Sequence, residues 1–135
     1  MKHPFEIDYL DHVAIRVKDI DLSSIWYSEV LGLTIIKKDK WGEFPIFLMS
    51  KNFGIALFPA NFNDSTLDAR SKNVKIDHFA FHVSNSAFEA AQLHFKEKNI
   101  AFDFQDHDYF HSIYLSDPDG HKVELTTLVD NTFFD

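Results

Sequence analysis

Two stretches of this chain nearly repeat each other. Leu10-Asp11-His12-Val13-Ala14-Ile15-Arg16-Val17 returns as Ile76-Asp77-His78-Phe79-Ala80-Phe81-His82-Val83, an offset of 66 residues when His12 is set over His78. A chain that repeats half its length builds one supersecondary unit twice, and each unit must find cover for its apolar face. Both stretches alternate with period 2, the signature of strands: Val13, Ile15 and Val17, like Phe79, Phe81 and Val83, face one side. His12, Ala14 and Arg16, like His78, Ala80 and His82, face the other.

The segments after these strands repeat as well. Leu22, Ile25, Trp26, Val30 and Leu31 recur at helical spacing after Asp19 or Asp21, with Gly32 placed to end the helix. In the second half Ser86-Ala87-Phe88-Glu89 has the form of a capping box, leading into a helix that ends near Lys98-Asn99. Three strand-like runs come next in each half. They are Thr34–Ile36, Ile46–Met49 and Ile55–Phe58, then Ala101–Phe104, Ser112–Leu115 and Lys122–Leu125. The expected fold is α+β. Two βαβββ modules, about 8–60 and about 75–128, are joined by a polar connection over 61–74 within one domain spanning 1–135. They form a curved, partly open mixed sheet around a barrel-like cavity, with helices outside.

Composition removes several classes of function. Thirteen Lys and Arg stand against 21 Asp and Glu, a formal charge of −8, with no basic run, so nucleic acid is not an expected partner. Cysteine is absent, which excludes disulfides, thiolate nucleophiles and sulfur-ligated metals. No stretch approaches the roughly 18 apolar residues of a spanning helix, so a cytoplasmic, soluble protein without a membrane partner is expected. The 15 phenylalanines are read mostly as core and cavity lining.

The repeat also bears on chemistry. His12 and His78 hold equivalent places in the two modules, and Glu124 lies on the last strand of the second module, on the face shared with Lys122 and Thr126. Two imidazoles and one carboxylate are a metal-binding set that leaves coordination sites open, as in non-haem Fe(II) oxygenases. In the first module the place of Glu124 falls within Ala56-Leu57-Phe58, none of which can bind a metal. The metal ligands are therefore expected to be His12, His78 and Glu124, with a small-molecule substrate at the open positions. The connection is long enough for the modules to pair within one chain or to exchange between two, and a homodimer is the expected assembly. Among the other histidines, His111 lies at the cavity mouth or in a solvated loop, and His82 is a pocket wall or a core residue. Trp41-Gly42-Glu43-Phe44-Pro45 is a candidate aromatic wall.

At these residues the chain resembles the vicinal-oxygen-chelate superfamily, which includes glyoxalase I, fosfomycin- and bleomycin-resistance proteins and extradiol ring-cleaving dioxygenases. The resemblance runs from about Tyr9 to Thr127. It is carried by the D-H-x-A-x-x-V strand starts, by Trp26-Tyr27-x-x-Val30-Leu31-Gly32-Leu33 and by the Tyr114 to Leu125 terminus. It implies a divalent metal, Fe(II) or Mn(II) in preference, with Zn(II) or Ni(II) as alternatives.

Within the superfamily, His107, Ile113-Tyr114, Asp117-Pro118, Gly120 and Glu124 resemble the extradiol dioxygenase signature. That resemblance implies His107 as acid–base catalyst and Tyr114 as hydrogen-bond partner in opening a catechol-like ring. Gln105 departs from the signature, and Phe62-Asn63-Asp64 lacks the further histidine such enzymes carry. The alternative is a non-redox lyase, transferase or hydrolase of the glyoxalase or fosfomycin-resistance kind. Against the thiol-transferase pattern stand Ala14 in place of a threonine, and Phe104 and Phe133 near where basic residues belong. A small-molecule binding protein is the third reading.

Overall fold

A computed structural model of the chain describes residues 3–135. The chain divides between Thr66 and Leu67 into two compact units. In the first, strand β1 (His12–Val17) leads into helix α1 (Ile20–Leu31), followed by β2 (Thr34–Ile36), a 3₁₀ turn (Asp39–Trp41), β3 (Ile46–Ser50) and β4 (Phe53–Pro59). The second repeats the order with β5 (Phe79–His82), α2 (Asn85–Glu97), β6 (Asp103–Asp106), β7 (Phe110–Ser116) and β8 (Lys122–Leu128), and closes on a 3₁₀ turn (Asn131–Phe134). The βαβββ order expected from the repeat is present in both units.

Each unit folds its strands into a four-stranded mixed sheet, in the orders β1-β4-β3-β2 and β5-β8-β7-β6. The first strand pairs in parallel with the last because the helix carries the chain back along the sheet, while the three later strands run antiparallel through short connections. One face of each sheet is covered by its helix. In the first unit Ile15, Val17, Ile46, Leu48, Ile55 and Leu57 are buried, with Tyr27 of α1 fully enclosed. In the second, Ile113, Leu115, Val123 and Leu125 are buried together with Phe88 and Phe95 of α2. Burying each such side chain stabilises the unit by about 1.5–3 kcal/mol before entropy is counted. The even-numbered residues of β1, β4, β5, β7 and β8 take the opposite face, which carries the polar chemistry.

Local signals set most boundaries. Asp19 caps α1, its carboxylate accepting from the backbone N–H groups of Asp21 and Leu22 at 3.1 and 3.0 Å. Gly32 ends it in the left-handed conformation at φ 71°, with its own N–H and that of Leu33 returning to Ser28 O and Tyr27 O.

Two expectations shift. The second helix is capped by Ser84, two residues ahead of the Ser86 capping box, and the Ser84 hydroxyl accepts from Ala87 N at 3.1 Å. The strand before it is tied up to Val83, whose N–H reaches Thr126 O, so the chain is free to turn at Ser84. Strand β6 begins at Asp103 instead of Ala101, because its pairing with β7 starts at Asp103 opposite Tyr114. Among the described residues no helix is long and apolar enough to cross a membrane.

Gly54 lies in β4 opposite Met49 of β3, and a Cβ there would lie 2.0 Å from the Leu48 carbonyl oxygen. A Gly54→Ala variant is expected to lose about 3 kcal/mol or to fail to fold. Gly32→Ala meets open space and a positive φ alone, and is expected to lose about 1 kcal/mol. Urea denaturation of the two variants checks the order.

Candidate metal centre

Strand pairing in the second unit puts Glu124 of β8 between Ala80 of β5 and Tyr114 of β7. All three side chains emerge on the face away from α2. His78 stands just ahead of β5 on the same face, and its Nε2 lies 2.9 Å from Glu124 Oε1. The other ring nitrogen, Nδ1, is 2.7 Å from Oδ2 of Asp77. That bond holds the Asp77 carboxyl below the usual carboxylate range. Glu124 is only 7% exposed, so its carboxyl is largely withdrawn from water and depends on polar partners within the protein.

The first unit repeats half of this arrangement. His12 opens β1, and its Nδ1 lies 2.8 Å from Asp11 Oδ1. Ala14 pairs with Ala56, as Ala80 pairs with Glu124, and Phe47 lies opposite Ala56, as Tyr114 lies opposite Glu124. The register thus resolves the first-module counterpart of Glu124 to Ala56. Phe47 meets His12 edge to face at 5.2 Å, and Tyr114 meets His78 in the same way at 5.7 Å. The frame is shared, with the carboxylate and the phenol hydroxyl present in the second copy alone.

His107 and Tyr114 come together. His107 stands in the turn after β6, and its Nε2 lies 2.9 Å from the Tyr114 hydroxyl. Burial raises the phenol's pKa, and the charge of Glu124 raises it further, so Tyr114 keeps its proton. Lys122 places its ammonium 5.9 Å from the centre of the Tyr114 ring. Next along this face, the Ser112 and Thr126 hydroxyls lie 3.0 Å apart, with His82 opposite Thr126 in the register.

His78, Glu124, Tyr114 and His107 are therefore gathered in the second unit, while His12 stands on the equivalent strand of the first. Among the described residues no group of three or more His, Asp or Glu is assembled as a metal cluster. The pair in the second unit nonetheless suits a metal. Nitrogen and oxygen donors each about 2.1 Å from one ion, at right angles, lie about 3 Å apart, and His78 Nε2 and Glu124 Oε1 have that spacing. Asp11 and Asp77 each stand at the Nδ1 of the histidine that follows, the outer support that metal-binding imidazoles use, and the Nε2 of His78 faces Glu124. Asp11 and Asp77 are the residues that sequence reasoning passed over. Their signal was the Asp-His pair at the head of both strands.

Three other expectations are settled by register. His111 belongs to β7 but points to the helix side, 5.3 Å from the Phe104 ring and with Nε2 3.6 Å from Asp106, so it neither lines the site face nor sits in a loop. His82 is exposed at the end of β5 and is not a core residue. Phe104 packs against Phe88 of α2 at 6.2 Å, while Phe133 joins Tyr109 and Phe110 in an aromatic cluster, so neither place carries a cation.

Comparison with known proteins agrees with the fold and the strand motifs. The family model described as Glyoxalase/Bleomycin resistance protein/Dioxygenase superfamily matches residues 9–125. Glutathione transferase FosA of Serratia marcescens is 26% identical over 116 residues, covering 86% of this chain and 78% of that protein. Metallothiol transferase FosB of Staphylococcus epidermidis is 30% identical over 122 residues, covering 87% and 82%.

Among solved structures, a glyoxalase/dioxygenase from Nostoc punctiforme matches with a TM-score of 0.76 at 21% identity, over 96% of this chain and 97% of that one. Lactoylglutathione lyase from Agrobacterium tumefaciens matches with a TM-score of 0.70 at 21% identity, over 90% and 94%. The two structural likenesses speak for the fold, and the family match spans nearly the whole repeat. The chain belongs to the glyoxalase, bleomycin resistance and dioxygenase superfamily, the vicinal-oxygen-chelate proteins.

Proposed function

We propose that this protein is a divalent-metal-dependent enzyme acting on a small, oxygen-rich substrate, with His12, His78 and Glu124 as the metal ligands. The observation that carries the reading is the 2.9 Å approach of His78 Nε2 to Glu124 Oε1 while Asp77 holds the ring from behind. Nitrogen and oxygen donors alone suit Fe(II) or Mn(II), with Zn(II) or Ni(II) as alternatives. When bound, the metal supplies Lewis-acid polarisation of a substrate oxygen. A homodimer is the proposed assembly.

The preferred reaction class is non-redox: addition of a thiol to an electrophilic carbon, or a related lyase or hydrolase step. The relatives named as a glutathione transferase and a metallothiol transferase favour it. Here the Tyr114 hydroxyl, kept protonated by burial and by Glu124, donates to the substrate oxygen that gains charge as the carbon–oxygen bond breaks. The proton the thiol gives up as its sulfur–carbon bond forms is taken by His107, 2.9 Å from the Tyr114 hydroxyl, which passes it on to restore Tyr114. Ala14 stands where the phosphonate-directed pattern has a threonine, and Phe104 and Phe133 stand where it has cations, which leaves Arg16 and Lys122 as the basic residues of the open faces, so a substrate other than a phosphonate is favoured.

A second reading, ring cleavage of a catechol-like compound by an extradiol-type dioxygenase with His107 as acid–base catalyst, is favoured by the His107 to Tyr114 hydrogen bond itself.

The deciding experiment loads the protein anaerobically with Fe(II), Mn(II), Zn(II) or Ni(II) in parallel. Each sample is then offered glutathione with a panel of epoxides and 2-oxoaldehydes, or a panel of catechols in air. Thiol adducts or hemithioacetal turnover supports the preferred class, and ring-fission product supports the second. Melting shifts without turnover by any metal form would reassign the protein as a binder.

Asp77→Ala is expected to weaken metal binding by roughly 10- to 100-fold, read by competition with a chelating dye. In metal-free protein, Glu124→Gln is expected to bring the Tyr114 ionisation down toward the ordinary phenol value. It should not arrive there, because the larger cause, burial, remains. Ultraviolet difference titration against a Tyr114→Phe control checks the sign.

A further inference from the structure

We propose that Trp41 and Phe47 form an aromatic platform in the first unit that receives a planar ring on the substrate, so that the protein selects oxygen-chelating compounds bearing an aromatic group. This rests on the metal reading through His12, beside which the platform stands.

Three rings stand in a row on the site side of the first sheet. The His12 imidazole meets the Phe47 ring at 5.2 Å and 64°, and Phe47 meets the Trp41 indole at 5.4 Å and 40°. Trp41 is 47% exposed, whereas Tyr27, the aromatic residue that builds this unit's core, is fully buried. An indole held half in water contributes little to the core, yet its backbone is anchored and its ring rests on Phe47. Trp41 ends a 3₁₀ turn tied by its own N–H to Lys38 O at 2.9 Å and by Gly42 N to Asp39 O at 3.1 Å. A rigid, exposed aromatic face beside an imidazole is the form that ring recognition takes, through offset stacking at low entropic cost.

The comparison between modules makes the assignment specific. Phe47 occupies the register position that Tyr114 occupies in the second unit, so the same site-facing place carries a ring with a hydroxyl in one copy and a bare ring in the other. With Ala56 at the counterpart of Glu124, the first copy carries neither the carboxylate nor the hydroxyl at these two places and presents aromatic surface. Phe44 meets Phe58 at 6.2 Å farther along, and the Arg16 guanidinium lies 5.4 Å from the Phe58 ring centre, which extends the aromatic surface and gives it a cationic border.

The test uses two hydroxamates that chelate through the same pair of oxygens, acetohydroxamic acid and benzohydroxamic acid. Each is titrated calorimetrically into the Mn(II)- or Ni(II)-loaded protein. The ring-bearing compound is expected to bind about tenfold more tightly, and Trp41→Ala to abolish that preference while leaving acetohydroxamate affinity unchanged. In a Trp26→Phe background Trp41 is the single indole. Its fluorescence is expected to respond to benzohydroxamate and not to acetohydroxamate.

Equal affinities in the wild type, or a ring preference that survives Trp41→Ala, would overturn the platform. Failure of the metal reading shows differently, as no binding of either hydroxamate above that of the metal-free protein. The platform is then judged by benzamide against acetamide on the metal-free protein with the same fluorescence readout, where a response to benzamide alone upholds it and no response overturns it.

Discussion

The parallel pairing of first strand with last is the constraint on which the rest of each unit depends. A chain that leaves a strand, crosses a helix and returns three times must seat its final strand beside its first to bury the residues between. Once seated, the register leaves no freedom: Ala80 faces Glu124, and Ala14 faces Ala56. Side chains alternate along a strand, so fixing one opposed pair fixes which residues meet the helix and which take the open face. The Asp-His pairs come into play at this edge, at the head of β1 and β5, where the first residues of each strand stand clear of the helix.

The two copies share a frame and divide its uses. In the second, a carboxylate, a phenol and two imidazoles are drawn into one neighbourhood, with Glu124 buried and burial keeping the proton on Tyr114. In the first, the same frame carries an alanine, a phenylalanine and a half-exposed tryptophan around a single imidazole. The open faces can differ in this way because neither set of side chains disturbs the helix-facing residues that hold each unit together. A shared scaffold with different side chains on its open face is also why superfamily membership alone does not name a reaction.

Much of this was legible in the residues. Period-2 alternation in Val13, Ile15 and Val17 and in Phe79 and Phe81, together with the Gly32 helix stop, foretold elements and faces, because those signals are local. The capping site of α2 was misplaced because two serines compete there, and the choice between them is made by Val83 pairing with β8, a contact 43 residues away in sequence. His111 was hard to place for a related reason: whether a residue at a strand's start faces site or helix depends on register against β6 and β8. The His107 to Tyr114 contact was suggested by a family pattern, while the Asp11 and Asp77 contacts needed coordinates, since an acidic neighbour is a commonplace in sequence and a support only when its oxygen reaches the ring.

The turn between β7 and β8 shows how far an outlying residue can govern this chemistry. Asp117 is buried, and one of its carboxylate oxygens accepts from Asp119 N at 2.9 Å and His121 N at 2.8 Å, while its own carbonyl takes the N–H of Gly120 at 3.0 Å. This knot counts residues: it decides that Lys122 opposes Ser116 and so that Glu124 opposes Tyr114. Slippage by a single place would rotate Val123 or Leu125 onto the open face and drive a carboxylate into hydrocarbon. The loop from Asp117 to His121 is thus the element that keeps Glu124 on the open side of the sheet.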